Sequence, residues 1–415
     1  MPVHLLICRA GHVDSGKSTL MGRLLFDLQA IDERILNQYK KEAERIGKSS
    51  FAFAWVLDQG QEERERGVTI DVATNKFETA QTVFTILDAP GHRDFVPNMI
   101  AGASEADFAV LVIDAAPGEF ESGLRGQTRE HVLLVRSMGC SRLVVAVNKM
   151  DRIEWSHDRF EDIQQQMSAF LITAGFKKQS VSFVPCSGLL GENILRKSSD
   201  AKANWYSGLT LVEELDNSPT AKHALEKPFR LPLSEVVQSS TSSPVVVSGR
   251  IEAGYLQVGD EIMCMPTKQH APVRSILVDG ESQDWAVAGQ NTTLNLGEMD
   301  EGTVRIGDII CGLASSIPNI QSFSAKVLAF DHLLPMAVDI HRGNLHVPGR
   351  ITNLVAVLDK AEGNVIKNRP KVVQPGTTAR ITVELSDPAP LEAGRIVLRC
   401  SGETVAAGFV ESNSS

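Results

Sequence analysis

Residues 11–18 read GHVDSGKS, a glycine-rich phosphate-binding loop of the form G-x-x-x-x-G-K-S. Its reading decides the fold, because such a loop joins a buried strand to a helix whose N-terminus faces phosphate. The flanks supply both. VHLLICR (3–9) is an apolar run before the loop, and STLMGRLLFDL (18–28) has apolar residues at helical spacing after it. Gly11 and Gly16 stand where the backbone must approach phosphate, Lys17 is placed for the β and γ phosphates, and the Ser18 hydroxyl suits Mg²⁺. His12, Val13, Asp14 and Ser15 lie between the glycines and lysine, and Thr19 follows Ser18, so the whole stretch is expected to enclose a nucleoside triphosphate.

Further motifs follow in order. DAPGH (88–92) comes after the apolar run VFTIL (83–87). Asp88 is expected to hold Mg²⁺ through water, and Gly91 to bring a backbone amide to the γ phosphate. His92 is then the candidate for orienting the attacking water. EERERGVTI (62–70) reads as a solvated charge run until Thr69, whose hydroxyl suits a second Mg²⁺ ligand on a switch segment. NKMD (148–151) follows LVVAVN (143–148). The Asp151 carboxylate can accept two hydrogen bonds from guanine that adenine cannot donate, Asn148 braces the loop, and Lys149 lies along the base. SGL follows VSFVP (181–185) and places Ser187, Gly188 and Leu189 near the guanine oxygen. GTP and GDP with Mg²⁺ are therefore the expected ligands.

VFTIL, FAVLVID (108–114) and LVVAVN are short, nearly continuous apolar runs, as in parallel strands buried on both faces. TREHVLLVRSMG and FEDIQQQMSAFLITAG between them are helical, with Gly139 and Gly175 as stop signals. The fold class is an α/β G domain of the phosphate-loop type, with a doubly wound, mostly parallel sheet over 1–222. Two all-β blocks follow, each the size of a small barrel, over 227–317 and 322–412, with ASSIPNIQS as a turn-rich linker. Trp205 and Tyr206 are expected to pack the last helix of the G domain. His332, His341 and His346 read as surface or structural histidines, and Arg342, Arg350, Lys367, Arg369 and Lys371 equally as a contact for RNA or an acidic partner or as a solvated barrel face.

At 415 residues, two or three domains are expected. No apolar run approaches the roughly 20 residues that span a bilayer. The six cysteines are scattered without a C-x-x-C pair, which favours reduced thiols and a cytoplasmic setting over a metal or disulfide framework. A net charge of −10 excludes nonspecific coating of nucleic acid, so any RNA contact is local and shape-based.

Together these motifs resemble the translational GTPases of the elongation factor Tu and one-alpha superfamily, over nearly the whole chain. The resemblance implies that His92 is the catalytic histidine, arranged by the ribosomal sarcin–ricin loop, and that Val13 and Val68 form the hydrophobic gate before it. It also implies that Asp14 is a further loop ligand for a monovalent cation. Within the superfamily, SSFAFAWVLDQGQEERERGVTIDV, APGHRDFVPNMI, GQTREHVLLVRSMG and WYSGLTLVEELD look most like the Hbs-type ribosome-rescue GTPases. That likeness implies a monomeric factor that carries a tRNA-shaped Pelota-type partner to the A site of stalled ribosomes, with contacts to the small subunit and to RNA-decay factors.

Elongation factor one-alpha carries a histidine-bearing element for aminoacyl-tRNA in its second barrel domain, where this chain reads SILVDGESQDW. Release-factor-three-type GTPases differ more around the switches. The extension that precedes the G domain in Hbs proteins is not in this sequence, which reads as a shortened form. Two other classes share the architecture: the GTPase subunit of a sulfate-activating enzyme, and a non-hydrolysing scaffold. Intact Lys17, Thr69, Asp88, His92 and Asp151 argue against the scaffold.

Overall fold

The computed structural model describes residues 3–12, 14–45, 52–57, 73–88, 96–219, 224–237, 245–297, 299, 303–359 and 363–411. Val13, Val68, Thr69, Gly91 and His92 lie outside the described residues, as does the Asp88 side chain. The chain divides into two compact units, Met1–Thr220 and Ala221–Ser415.

In the first unit the strands are β1 (Val3–Ala10), β2 (Ala73–Glu78), β3 (Thr82–Asp88), β4 (Phe108–Asp114), β5 (Leu143–Asn148) and β6 (Val181–Pro185). They form one sheet in the order β2-β3-β1-β4-β5-β6, parallel except for the antiparallel edge pair of β2 and β3. Every residue of β4 and β5 is buried, which accounts for the absence of polar alternation in FAVLVID and LVVAVN. The helices are α1 (Lys17–Asp27), α2 (Glu33–Arg45), α3 (Val96–Glu105), α4 (Glu119–Arg125), α5 (Gln127–Met138), α6 (His157–Thr173) and α7 (Leu211–Asp216). Gly139, at φ 117°, ends α5 in the left-handed conformation expected of a stop signal. Leu20, Leu24 and Leu25 of α1 pack with Leu5 and Ile7 of β1 and Val110 and Val112 of β4. The nucleotide loop is thus the crossover from the centre of the sheet to a helix lying on it.

The second unit carries two antiparallel β-barrels. The first has a core of Leu231, Val247, Ile262, Val273, Ile276, Leu294 and Ile310. The second closes when Ala337–Arg342 pairs both Leu345–Leu358 and Arg395–Cys400, around Phe323, Val327, Ile351, Ile381 and Leu398.

Two expectations need correction. NIQS is strand, not linker: it opens the strand Asn319–Ala329, which pairs with Thr378–Pro390 across a bulge at Ile320/Ser322. A polar stretch became a strand because its hydrogen-bonding partner lies far along the chain. Trp205 packs on α6 rather than α7, whereas Tyr206 meets Phe160 of α6 and also donates its hydroxyl to the Leu209 carbonyl, just before the start of α7, at 2.8 Å. The Trp205 ring lies 4.7 Å from His157 and 5.2 Å from Phe160, and its indole N–H donates to the Trp155 carbonyl at 2.7 Å.

Candidate nucleotide site

In a parallel sheet the loops leaving the carboxyl ends of the strands share one edge, the usual place for a ligand. Here β1, β4, β5 and β6 deliver to that edge the phosphate loop, Asp114, NKMD and CSGL. The backbone of the first loop tolerates little substitution. Gly11 has φ 142°, and a Cβ there would sit 2.3 Å from the Val112 carbonyl oxygen. Gly16 has φ 85° and caps α1, and a Cβ there would sit 2.5 Å from Asn148 Nδ2. Lys17 is buried, and its ammonium donates to the carbonyls of Gly11 at 3.0 Å and His12 at 2.6 Å. Its charge is therefore held over the hollow of the loop. Ser18 and Thr19 follow, half-buried, in the first turn of α1, while Asp14 is exposed at φ 61°.

Asn148 joins the two recognition loops. Its amide donates to the Ser15 carbonyl at 3.0 Å, and its carbonyl oxygen accepts the Gly188 N–H at 2.8 Å. Lys149 Nζ donates to the Asp14 carbonyl at 2.6 Å and pairs with the Asp114 carboxylate at 2.7 Å. The pair ties the end of β4 to both loops. Asp151 sits half-buried in the short 3₁₀ turn Met150–Ile153. Burial, reinforced by the nearby Asp151 charge, pushes the Cys186 thiol far above its ordinary range, so this cysteine is an inert core group. Ser187 is fully buried; its N–H donates to the Glu192 carbonyl, and its hydroxyl accepts the Leu190 N–H. Gly188 packs against α1, where an added Cβ would meet Leu20 Cα at 3.0 Å. Leu189 is exposed, and its carbonyl accepts Arg23. The structure thus brings Gly11, Lys17, Ser18, Asn148, Lys149, Asp151, Ser187 and Gly188 to one edge. Asp88, at the end of β3, directly follows Leu87, which is in register with Cys8 of β1, so its backbone lies beside the root of the loop.

His131 on α5 was not singled out in the sequence, and Asp114 was noted only as the end of a strand. His131 is fully buried, and its Nδ1 accepts the Gly11 N–H at 3.3 Å. Burial, and then the Lys17 charge, depress its pKa to about 3, so the ring is neutral and its proton sits on Nε2. It holds the loop's first amide without adding charge. A polar residue at helical spacing among Thr128, Val132 and Val135 was the available signal.

In the second unit, His341 and His346 stack at 4.5 Å across a hairpin, and the described residues contain no metal-binding group of His, Cys, Asp and Glu.

Comparison with known proteins agrees along the chain. The elongation factor Tu GTP binding domain family matches residues 3–238, elongation factor Tu domain 2 matches 245–311, and the GTP-eEF1A C-terminal domain-like family matches 322–411. Protein HBS1 of Drosophila melanogaster is 40% identical over 422 residues, a span of 98% of this chain but only 62% of that protein. Elongation factor 1-alpha of Ignicoccus hospitalis is 41% identical over 425 residues, 98% of this chain and 95% of that one. Among solved structures, the Saccharomyces cerevisiae Ski7 GTPase-like domain bound to GDP and inorganic phosphate superposes with a TM-score of 0.80. It is 21% identical over 99% of this chain and 97% of that chain, a likeness of fold.

Proposed function

This chain belongs to the translational GTPases of elongation factor Tu type, and we propose that within them it is an Hbs-type ribosome-rescue factor that hydrolyses GTP on the ribosome. The reading rests chiefly on the second domain. The turn between Gln269–Val278 and Glu281–Gln283 is Asp279-Gly280, with no histidine-bearing element of the kind that serves aminoacyl-tRNA. The likeness to protein HBS1 over 98% of the chain supports it. The G domain occupies 1–222 and the barrels 227–317 and 322–412.

Asp151 reads the guanine, with Asn148 and Lys149 as its braces and Ser187, Gly188 and Leu189 closing the base site. Gly11 to Thr19 enclose the phosphates. Ser18, Thr69 and Asp88 form an all-oxygen donor set, which fits Mg²⁺; the ion would neutralise phosphate charge there. Thr69 and Gly91 hold the switches while the γ phosphate is present. His92 positions water, which attacks the γ phosphorus as the bond to the bridging oxygen breaks. Catalysis of this kind is largely positioning and electrostatics, so a slow intrinsic rate and a stimulator are expected. The stimulator is the ribosome with a Pelota-type partner docked on the last barrel. The setting is the cytoplasm, the protein acts as a monomer, and RNA-decay factors follow its action.

A second reading, delivery of aminoacyl-tRNA, is favoured by the 41% identity to elongation factor 1-alpha over 95% of that protein. GTP turnover with ribosomes separates the two when Pelota, release factor one or aminoacyl-tRNA is added in turn. A requirement for Pelota supports rescue; stimulation by aminoacyl-tRNA or release factor one moves the protein to elongation or termination. His92→Ala is expected to retain GTP binding and lose the stimulated turnover, and a stimulated rate equal to the parent's would remove His92 from catalysis.

A further inference from the structure

SILVDGESQDW, which the nucleotide chemistry leaves unused, folds into an exposed aromatic surface. The strand Tyr255–Gln257 pairs antiparallel with Trp285–Val287 in a two-stranded ribbon. Leu256 and Ala286 point inward and are buried in the barrel core. Tyr255 faces Val287 and Gln257 faces Trp285, so the outer face carries the two aromatics on one diagonal, close enough to bind one segment together. Tyr255 is 62% exposed and Trp285 53%. Val258, which follows the strand, is exposed as well, and its N–H donates to the Asp284 carbonyl at 2.9 Å, fastening the ribbon's end.

Its two segments are acidic and are bordered by two arginines: Arg250 Nε donates to the Gly289 carbonyl at 2.8 Å, and the exposed Arg274 follows Val273, which exchanges backbone hydrogen bonds with Gly259 and Asp260. Residues 254–261 and 277–288 contain Asp260, Glu261, Asp279, Glu281 and Asp284 but no lysine or arginine. Phe409 in the other barrel is comparably exposed, at 48%, and already carries the Arg395 guanidinium 4.6 Å from its ring centre. Tyr255 and Trp285 carry no such cation among the described residues.

We propose that this ribbon is a docking surface for a basic polypeptide segment, one presenting arginine or lysine along an extended chain. Cations bind over the faces of Trp and Tyr, and the surrounding carboxylates accept their N–H groups. A nucleic acid can stack bases on the same rings, but its phosphates would meet carboxylates rather than the basic groups such binding needs. A wholly apolar partner would strip water from those carboxylates without replacing it.

The test uses the full chain labelled with 5-fluorotryptophan, in which Trp285→Phe identifies one resonance among the four tryptophans. A peptide of repeated Arg-Gly-Gly and, separately, a uridine oligonucleotide are titrated in. The peptide is expected to move the Trp285 resonance saturably while Trp55, Trp155 and Trp205 stay still, and the oligonucleotide to leave it unmoved. Tyr255→Ala with Asp284→Asn should weaken peptide binding by about tenfold. Because Trp55, Trp155 and Trp205 lie in the first unit, a thermal scan that retains the second unit's transition reports that the variant is folded. A static Trp285 signal while the peptide binds elsewhere overturns the proposal, as does equal affinity in the folded double variant. Movement with the oligonucleotide alone reassigns the ribbon to nucleic acid. If the variant loses its fold, the parent's Trp285 response decides by itself.

Discussion

At the scale of single residues, the site is held by side chains that span loops. Asn148 is the clearest case, because both its bonds are to backbone groups of different loops and the residue is buried. Asn148→Ala leaves the Ser15 carbonyl and the Gly188 amide without partners, at a cost of about 1–3 kcal/mol for each buried group. The expected outcome is a lower melting temperature for the first unit and weaker GTP binding, read by calorimetry and nucleotide titration. His131 makes a pH prediction. Its folded pKa of about 3 lies below the ordinary value of 6.5, so the unfolded chain binds the proton first. Its contribution is therefore full above pH 6.5 and is lost progressively as pH falls toward 3, with a slope of up to about 1.4 kcal/mol per pH unit. Urea unfolding between pH 7 and 5 should show a shallower decline in His131→Asn, which keeps an acceptor near Gly11 but does not titrate. An equal slope in the variant would assign the acid sensitivity elsewhere.

At the scale of elements, the legibility of a strand followed its burial. FAVLVID and LVVAVN match β4 and β5 at both ends, because runs buried on both faces have few other readings, and VSFVP matches the half-buried edge strand β6. The strand that begins at Asn319 was hidden because NIQS has no apolar run and is specified by its partner, Thr378–Pro390. Elsewhere close backbone approach governs an element. In the strand Glu403–Val410, a Cβ on Gly408 would sit 2.0 Å from the Lys326 carbonyl oxygen. Gly408→Ala must push that strand away from Asn319–Ala329, an overpacking that typically costs about 1–3 kcal/mol. A thermal scan should show the second unit melting earlier, and an unchanged transition would mean that the ladder yields without loss.

At the scale of the whole molecule, the second unit contains two barrel cores yet is one compact body. Arg230 of the first barrel is largely buried and forms a bidentate pair with Glu392 of the second, donating from Nε at 2.8 Å and also from Nη2 to Oε1. The paired carboxylate raises the Arg230 pKa further. Removing either partner strands a charge, so Arg230→Met and Glu392→Gln should each destabilise the unit. A double-mutant cycle is expected to give a coupling of about 0.5–3 kcal/mol; strictly additive losses would show that the barrels are held by other contacts. The chain's own residue order determined the α/β class, the nucleotide loop and the guanine motif, because glycine freedom, apolar periodicity and hydrogen-bond chemistry act within a few residues. Only the tertiary structure decided that Asn148 grips Ser15 and Gly188, that Lys149 pairs with Asp114, that His131 seats Gly11, and that Tyr255 and Trp285 share an exposed face. Those pairs lie from 30 to 133 positions apart, so spacing along the chain carries no trace of them until the strands set their register.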